Sequence, residues 1–537
     1  MPANAIWILS VFIAYFAVLI SIAVVRSRHM DDMSDYVLGG RKMGFFTSAL
    51  SAASSAASGW TMLVLPGLAF AAGMMHLWTV ASIILGHWFA WTVLARRIRR
   101  YSMAAENSLT LPEFLEKRFG DTSGALRTLS GLIGIYFITL YVCSGLIAGA
   151  KLLEVVFGLD QMGQGHNIGV IISLIAVVSY TFIGGFLAVS RTDVFQSLIM
   201  LAGFIIIPVT LILTVSNPFQ GLESTAPGFW NPFTDKENSQ LGVLFFLSSV
   251  GWGLGAFGAH RIISRFMAVQ RESDILRSRN VGAAWVVLIF LFALLMGLVA
   301  APALLDRGIV LPDAEKLYLI VAETFFHPVV AGLLLTAVIA AVMSTADSQL
   351  LLASAIATDD LPVIQRITYS MRTQARVWMG RAMLVLVGII AAAISIVSPE
   401  SVFALVSLAW GGMGAAFGPA LILALYWRRF NRWGALAAVA TGTIVSTWWW
   451  LAGLGYERYS TVADLLGFHA TVEHMEALGV WNINPGVPGF VASIVAAYIV
   501  TRLTAPPPVE VVDTFDQVNG PGWNEGEVMA APASSEL

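Results

Sequence analysis

Residues 331–355 read AGLLLTAVIAAVMSTADSQLLLASA, an apolar, alanine-rich segment interrupted by the polar residues Ser344, Thr345, Asp347 and Ser348. An ionisable group inside a membrane is costly, so it usually faces an ion or substrate path. At about 100° per residue, these four positions cover a little under half of a helix circumference. Their side chains offer only oxygen atoms, which suit a hard alkali cation. The segment is therefore typical of an ion-coupled membrane transporter.

The composition of the whole chain supports a membrane location. Of 537 residues, 57% are hydrophobic and 12% are charged, and the mean hydropathy is +0.78. Soluble domains carry roughly 25% charged residues, so we expect an integral membrane protein in contact with the lipid bilayer. The net charge of −3 and the absence of a basic run give no indication of nucleic-acid binding. Cys143 is the single cysteine, which excludes an intramolecular disulfide.

The sequence gives no indication of enzymatic chemistry. It contains no Walker phosphate-binding loop, no zinc-ligand spacing and no nucleophile motif. We therefore expect neither an enzyme nor a cofactor, apart from a coupling ion.

Thirteen segments have the roughly 17 to 25 mostly apolar residues that a membrane-spanning helix needs. In chain order, these predicted spans 1 to 13 cover residues 3–25, 47–74, 76–95, 128–157, 167–188, 194–216, 241–266, 282–304, 318–355, 377–398, 401–427, 433–455 and 479–503. Span 9 is long enough to include an interfacial piece around residues 324–329. Span 1 lacks the basic region and the small-residue cleavage site of a signal peptide, so we expect it to be retained.

Lysine and arginine residues predict the orientation. Of the 30 basic residues, five lie in even-numbered connections between spans, and the others lie in odd-numbered connections, at their borders or after span 13. Those five are Lys151, Lys236, Arg307, Lys316 and Arg458. Because cytoplasmic loops are enriched in Lys and Arg, we expect the N-terminus outside and the C-terminus in the cytoplasm of a bacterial-type inner (plasma) membrane.

Two segments outside the spans are also interpretable. Thr110 precedes Glu113 by three residues, and Pro112 stands in the first turn, which predicts a short surface helix. Residues 506–537 contain Pro-Pro-Pro and an excess of carboxylates, so we expect a disordered acidic cytoplasmic tail after a transmembrane domain of residues 1–505.

Two spans carry matching interruptions. Span 2 contains Gly59-Trp60 and span 7 contains Gly251-Trp252, each among small and hydroxyl residues. Such residues weaken a helix and leave carbonyl groups free to coordinate an ion, although they also permit close helix packing. Interruptions five spans apart predict a repeat of five helices, and an odd repeat inverts the topology, as in many secondary transporters.

Several stretches together resemble the sodium/solute symporter family. They are Tyr141 to Leu153, Ser179 to Asp193, Gly251-Trp-Gly-Leu-Gly255, Ile263-Ser-Arg-Phe-Met267, Ala340 to Thr345 and Trp410 to Pro419. The resemblance covers roughly residues 5–505 and is strongest to bacterial members that transport proline. It implies a LeuT-type core of spans 2–11, with five-helix repeats at about 47–216 and 241–427.

The resemblance also implies a sodium site between spans 2 and 9. Its ligands are carbonyls near Ser54 and Ala57, the Ala341 carbonyl, and the Ser344 and Thr345 hydroxyls. Hydroxyls in membrane helices also often bond to carbonyls of their own helix, which is the structural alternative.

A second sodium or coupling site, known in some relatives, maps to Asp193, Ser344, Asp347 and Ser348. For Asp193 an ordinary helix N-cap is an equal alternative, since Gln196 follows three residues later. Solute contacts map to Trp60, Tyr141 and Trp252.

The chain also departs from the proline-transporter pattern in this region. Ala56 and Ala57 occupy positions where the pattern has an Asp and a Met, Ala256 replaces an aromatic residue, and His260 replaces a Pro. Ala256 and His260 remain candidate solute-binding positions. We expect His260 to line an inner vestibule and Arg261 to extend toward the cytosol.

The missing carboxylate at Ala56 suggests a compensating residue. Asp347 lies in the polar part of span 9, so we hypothesise that it restores the lost charge. These departures weaken the assignment of proline as the solute more than the assignment of sodium as the coupling ion.

The sequence thus predicts a sodium-coupled symporter that moves a small organic solute, proline, into the cell by alternating access. Uptake of another amino acid or a small carboxylate, with sodium or proton coupling, stays open. A membrane solute sensor is the alternative from a different class, and the acidic tail argues against it. A passive channel fits worst, because the interrupted helices predict an occluded site at the membrane midplane.

Overall fold

The chain is almost entirely α-helical in the computed structural model, which describes residues 5–27, 33–215, 217–220, 222, 226–368, 371–397, 400–453, 479–520 and 523. The helices are α1 (Ala5–Ser27), α2 (Met33–Leu38), α3 (Phe45–Ala56), α4 (Leu65–Ala72), α5 (Leu77–Ala90), α6 (Arg96–Ala104), α7 (Leu111–Phe119), α8 (Ala125–Phe157), α9 (Gly165–Thr214), α10 (Val243–Leu254), α11 (His260–Ala268), α12 (Ile275–Leu305), α13 (Leu317–Phe325), α14 (Pro328–Asp359), α15 (Pro362–Thr368), α16 (Thr373–Val397), α17 (Val402–Tyr426), α18 (Arg432–Gly453), α19 (Gly486–Leu503) and α20 (Val509–Asn519).

The prediction of an all-α integral membrane fold is confirmed, but the count of thirteen spans is not. Within the described residues, ten helices are long and apolar enough to cross a membrane, or up to eleven if the bent pair α10 and α11 is one span. Part of the difference is that α9, with 50 residues, and the helical stretch Trp60–Ala104, with 45 residues, are each counted once although each is long enough for two spans. Gly185 kinks α9 with φ 61° and ψ −176°, a conformation that glycine tolerates. The kink lies close to the predicted boundary between spans 5 and 6.

Helix α14, which carries the polar interruption, lies in the interior of the molecule. It packs against α8, α9, α16, α1 and α3. Its small residues allow this close approach, and the side chains from Met343 to Ala357 are all buried. The polar residues of α14 therefore face protein rather than lipid.

Predicted span 2 is interrupted as expected. Helix α3 ends at Ala56, and Ala57 has φ −89° and ψ 83°, outside the helical region. The chain then forms a single wide helical turn from Trp60 to Val64 before α4 begins. This break leaves backbone groups of α3 without their usual helical partners beside α14.

Predicted span 7 is also interrupted, but not where the sequence analysis placed it. Gly251 and Trp252 lie inside α10. The chain tightens at Gly255–Phe257, and the segments on either side of the break differ in direction by 41°. Trp410 packs against Gly255, and its indole N–H donates to the Trp252 carbonyl at 2.7 Å. The lack of a side chain at Gly255 permits this contact, which explains the later break.

The short helix predicted after Thr110 is confirmed as α7. The Thr110 hydroxyl accepts a hydrogen bond from the Glu113 N–H at 3.2 Å, and the Glu113 carboxylate accepts one from the Leu109 N–H at 2.7 Å. These two bonds satisfy N–H groups that a helix start would leave free.

The prediction of a fully disordered tail is wrong for residues 509–519, which form α20. Val511, Phe515 and Val518 are buried on one face of this helix. The composition of the tail indicates disorder, whereas the spacing of these three apolar residues is that of an amphipathic helix. Residues 521, 522 and 524–537 lie outside the described residues.

Candidate functional site

The end of α3 and the middle of α14 bring together the oxygen atoms predicted to bind sodium. The Ser344 hydroxyl lies 3.3 Å from the Ala341 carbonyl oxygen of its own helix and 3.5 Å from the Ser54 carbonyl oxygen. The Thr345 hydroxyl donates across the helix contact to the Ser55 carbonyl at 3.2 Å. Both hydroxyls are buried, and both contact carbonyls of α3. Hydrogen bonding within α14 therefore accounts for only part of their contacts.

These contacts form a compact group of neutral oxygen ligands. Ala57 lies at the end of α3, and its N–H bonds to the Ser54 carbonyl at 3.1 Å. Carbonyl and hydroxyl oxygens suit a hard, weakly polarising cation better than they suit a transition metal. The carbonyls of Ser54 and Ala341 and the hydroxyls of Ser344 and Thr345 therefore form a candidate alkali-cation site, and a role for the Ala57 carbonyl stays a prediction.

A second buried cluster lies next to this site, around Asp193. The Asp193 carboxylate accepts hydrogen bonds from the Ser51 hydroxyl at 2.6 Å and from an Arg265 terminal nitrogen at 3.2 Å. The same Arg265 nitrogen donates to the Ser348 hydroxyl at 2.6 Å. Asp193 lies within α9, so the N-cap alternative is wrong.

Asp347 belongs to the same cluster. Its carboxylate accepts hydrogen bonds from the Tyr180 hydroxyl and from the Ser348 N–H. Of these two buried carboxylates, only that of Asp193 forms a salt bridge with Arg265 in the described part of the chain. The structure places Asp347 in this cluster and not among the residues lining the cavity beside Ala56.

The predicted solute residues surround a narrow cavity between the two broken helices. It is lined by Ala56, Ser58, Trp60, Ile83, His87, Tyr141, Trp252, Ala256, Val286, Phe290, Val406 and Trp410. It contains about 410 Å³ of space free of protein atoms, little of which is wide enough for a water molecule. The rings of Trp60 and Trp252, which both line the cavity, are 4.5 Å apart at an interplanar angle of 32°.

Four of the five candidate solute residues thus come together, and His260 does not. The His260 ring packs edge-on against Phe417 at 4.4 Å and lines a separate small cavity with residues of α11, α14 and the start of α7. The break between α10 and α11 turns His260 away from Trp252. A continuous helix would have placed the two residues about two turns apart on neighbouring faces.

Sequence reasoning missed three buried residues that complete the site. Arg261 is fully buried and not extended toward solvent, Arg265 bridges Asp193 and Ser348, and Trp410 closes the cavity. The spacing of Arg261 and Arg265, four residues apart, was the available signal, because it places two charges on one helix face.

The site as a whole defines a class of protein. Two broken helices enclose an aromatic cavity at the middle of a helical membrane fold, and a buried oxygen cluster adjoins one of the breaks. This arrangement is that of a secondary transporter, in which breaks in helices of two repeats form a midplane site.

The chain belongs to the sodium:solute symporter family, whose model matches residues 36–442. The resemblance stated from the sequence is therefore confirmed, and the protein is a transporter, not an enzyme.

Curated relatives in this family match nearly the whole chain. The high-affinity proline transporter PutP of Bacillus subtilis (strain 168) is 36% identical over 494 residues, which cover 91% of this chain and 96% of the relative. The osmoregulated proline transporter OpuE of the same strain is 34% identical, covering 92% and 94%. A sodium/proline symporter of Staphylococcus aureus is also 34% identical, covering 96% of each chain.

Solved structures confirm the fold. A Na⁺-coupled sialic acid symporter in a substrate-bound outward-open state matches with a TM-score of 0.70 and 18% identity, covering 94% of this chain and 99% of that one. MhsT in complex with L-phenylalanine matches with a TM-score of 0.51 and 13% identity, covering 84% and 98%. The predicted LeuT-type architecture is thus confirmed, whereas the repeat boundaries near 47–216 and 241–427 stay a prediction.

Proposed function

We propose that this protein couples the inward movement of sodium across the plasma membrane to the uptake of proline by alternating access. The observation that carries the proposal is the convergence of the Ser344 and Thr345 hydroxyls on carbonyls at the α3 break, directly beside the aromatic cavity. The names of the curated relatives supply the solute and support sodium as the coupling ion.

In this mechanism, sodium binds to the carbonyls of Ser54, Ala57 and Ala341 and to the hydroxyls of Ser344 and Thr345. The cation replaces the hydrogen bonds that now join these oxygens and holds α3 against α14. Proline occupies the cavity between Trp60, Tyr141 and Trp252, with Ala256 at its wall.

The two sites are linked by a short stretch of chain. Ser58 follows Ala57, and its hydroxyl lies 3.1 Å from the Tyr141 hydroxyl inside the cavity. Sodium that fixes the end of α3 therefore also fixes one wall of the solute site. If each ligand favours the same conformation, each raises the affinity for the other by the same factor.

We assign the cluster of Asp193, Asp347 and Ser348 as a coupling site. Arg265 neutralises one carboxylate, so the other can hold a sodium ion or a proton during part of the cycle. The chain is oriented with its N-terminus outside and its C-terminus in the cytoplasm, as the distribution of basic residues indicates.

Uptake of labelled proline into proteoliposomes tests the proposal. Wild-type protein is expected to accumulate proline only with an inward sodium gradient, and a proton gradient alone should not drive uptake. In Ser344→Ala, the sodium concentration for half-maximal uptake should rise about tenfold or more, which corresponds to roughly 1.4 kcal/mol of lost binding. The maximal rate at saturating sodium should change less.

Ser354→Ala is the matched control, since Ser354 is buried in the same helix and its hydroxyl bonds to its own helix at 2.7 Å. It should leave the sodium dependence unchanged. Sodium-independent uptake by the wild type, or an unchanged sodium requirement in Ser344→Ala, would contradict the proposal.

A further inference from the structure

Arg261 lies directly behind the wall of the solute cavity. It is completely buried at the start of α11, and its Nε donates to the Ser55 carbonyl at 2.8 Å. Its guanidinium carbon is 4.1 Å from the ring centre of Tyr141 and 5.0 Å from that of Trp410. Both rings line the cavity, so only these side chains and the α3 break separate the charge from the solute site.

The charge of Arg261 has no counter-ion in the part of the chain that the structure describes. No carboxylate there forms a salt bridge with it, and its terminal nitrogens meet no acceptor there other than the side chain of Tyr141, on whose ring the guanidinium lies. The neighbouring Arg265, by contrast, pairs with Asp193 at 3.2 Å. Two aromatic contacts and one hydrogen bond compensate only partly for the desolvation of a guanidinium.

The cavity itself presents hydrogen-bond donors without partners. The indole nitrogen of Trp60 has no acceptor among the described residues. The Nε2 atom of His87 lies 3.1 Å from the indole N–H of Trp91 and accepts from it, which assigns the proton of a neutral ring to Nδ1. That Nδ1 atom also has no partner.

Among the described residues, none that lines the cavity carries a carboxylate that could pair with a positively charged group of a solute. The aromatic faces of Trp60 and Trp252 are the surfaces left for an ammonium group. A buried cation and several free N–H donors around one aromatic cavity match a solute that carries a carboxylate group.

We propose that Arg261 binds the carboxylate of the transported solute through its two terminal nitrogens and thereby selects carboxylate-bearing solutes over uncharged analogues. A guanidinium and a carboxylate match in shape and form paired, charge-assisted hydrogen bonds. This inference rests on the proposed function, because it requires that the cavity holds the solute.

Binding requires the cavity to open. The rings of Trp60 and Trp252 contact each other in the cavity wall, and the Arg261 nitrogens are buried behind Tyr141 and Trp410. A solute that separates the aromatic rings gains access to the guanidinium. The Ser55 carbonyl accepts from both Arg261 and the Thr345 hydroxyl, so a carboxylate on Arg261 acts on the sodium site through one shared atom.

Matched pairs of acids and their amides test this assignment in sodium-driven proteoliposome uptake. The probes are L-proline with L-prolinamide and propionate with propionamide, each competing against labelled proline. Wild-type protein should prefer the acid by about 100-fold, and Arg261→Gln should lose most of that preference through weaker binding of the acid. The affinity for the amide should change less than threefold or so.

Arg118→Gln is the control variant, because Arg118 has the same kinds of contacts away from the cavity. It is buried, its Nε donates to the Ala424 carbonyl at 2.9 Å, and its guanidinium packs on aromatic rings. The acid preference should survive in Arg118→Gln. Arg261→Lys, which keeps the charge but loses the paired donors, should bind acids roughly tenfold more weakly and still prefer them.

The outcomes separate this inference from the proposed function. If the wild type takes up acids and Arg261→Gln keeps the full acid preference, the role of Arg261 is wrong while the transport function stands. If Arg261→Gln does not fold, Arg261→Lys provides the test. An affinity for acids equal to that of the wild type in Arg261→Lys would then contradict carboxylate binding by Arg261. If no acid is taken up with sodium by the wild type, both proposals fall.

Discussion

At the scale of single residues, the two carboxylates of the buried cluster around Asp193 differ in the groups that bind them. Asp193 pairs with Arg265 at 3.2 Å, whereas the Asp347 carboxylate is held by the Tyr180 hydroxyl and the Ser348 N–H. Removing one member of a buried ion pair strands the other charge, but removing a carboxylate without a cation of its own does not.

We therefore expect Asp193→Asn to destabilise the protein much more than Asp347→Asn does. The first change should cost about 3 kcal/mol or more, because the Arg265 guanidinium is left unpaired. The second should cost about 1 kcal/mol, the value of one lost hydrogen bond, and relief of repulsion from Asp193 offsets part of it. Thermal unfolding of purified protein in detergent measures both.

Repeating these melts in sodium and in choline salts adds a functional readout. If Asp347 holds the coupling cation, the stabilisation that sodium gives the wild type should shrink in Asp347→Asn. Equal destabilisation by the two variants would show that the buried charge of Arg265 does not need Asp193 as its counter-ion.

The sequence indicated which residues of α14 lie together at the candidate cation site, but not the residues that contact them. Ser344, Thr345, Asp347 and Ser348 follow one another on one helix, so their spacing alone places them together. The pairing of Arg265 with Asp193 joins positions 72 residues apart, and no local pattern encodes it. His260 was misplaced because a small change of direction at the α10 break alters every position after it.

At the scale of secondary-structure elements, the break after α10 depends on close packing at Gly255. A side-chain carbon at this position would overlap the indole of Trp410. The indole is not free to move, because its N–H donates to the Trp252 carbonyl and its face contacts the Arg261 guanidinium.

Gly255→Ala is therefore expected to destabilise the closed cavity by about 1–3 kcal/mol through overpacking and to lower the maximal rate of uptake. Gly242→Ala serves as the control, since a side-chain carbon at Gly242 meets no atom within 4 Å. Melting temperature and initial uptake rate are measured for both. Equal behaviour of the two variants would mean that the α10 break tolerates a side chain.

Elements with local start or stop signals were predicted well, and those that depend on tertiary contacts were not. The capping residues of α7 lie within four positions of one another, which makes them readable in the sequence. Helix α20 forms where Phe515 packs beneath Arg118, with ring and guanidinium carbon 5.1 Å apart. Such docking onto a distant surface outweighs the disorder that an acidic, proline-containing composition suggests.

At the scale of the whole molecule, fold class and family follow from properties summed over the entire chain. Hydropathy indicates a membrane protein whether or not each span is counted correctly, and the ten to eleven candidate spans among the described residues include two stretches of 45 and 50 residues, each longer than a single span needs. The predicted orientation rests on the distribution of basic residues.

Cysteine labelling tests this orientation, because Cys143 is buried and the wild type is a near-blank background. Lys236→Cys and Arg277→Cys replace basic side chains that are 50% and 73% exposed on opposite predicted sides. With the N-terminus outside, a membrane-impermeant maleimide should label Lys236→Cys in intact cells, and Arg277→Cys only after permeabilisation. The reverse pattern would place the basic connections outside, contradict the positive-inside rule for this chain, and invert the direction of the proposed transport cycle.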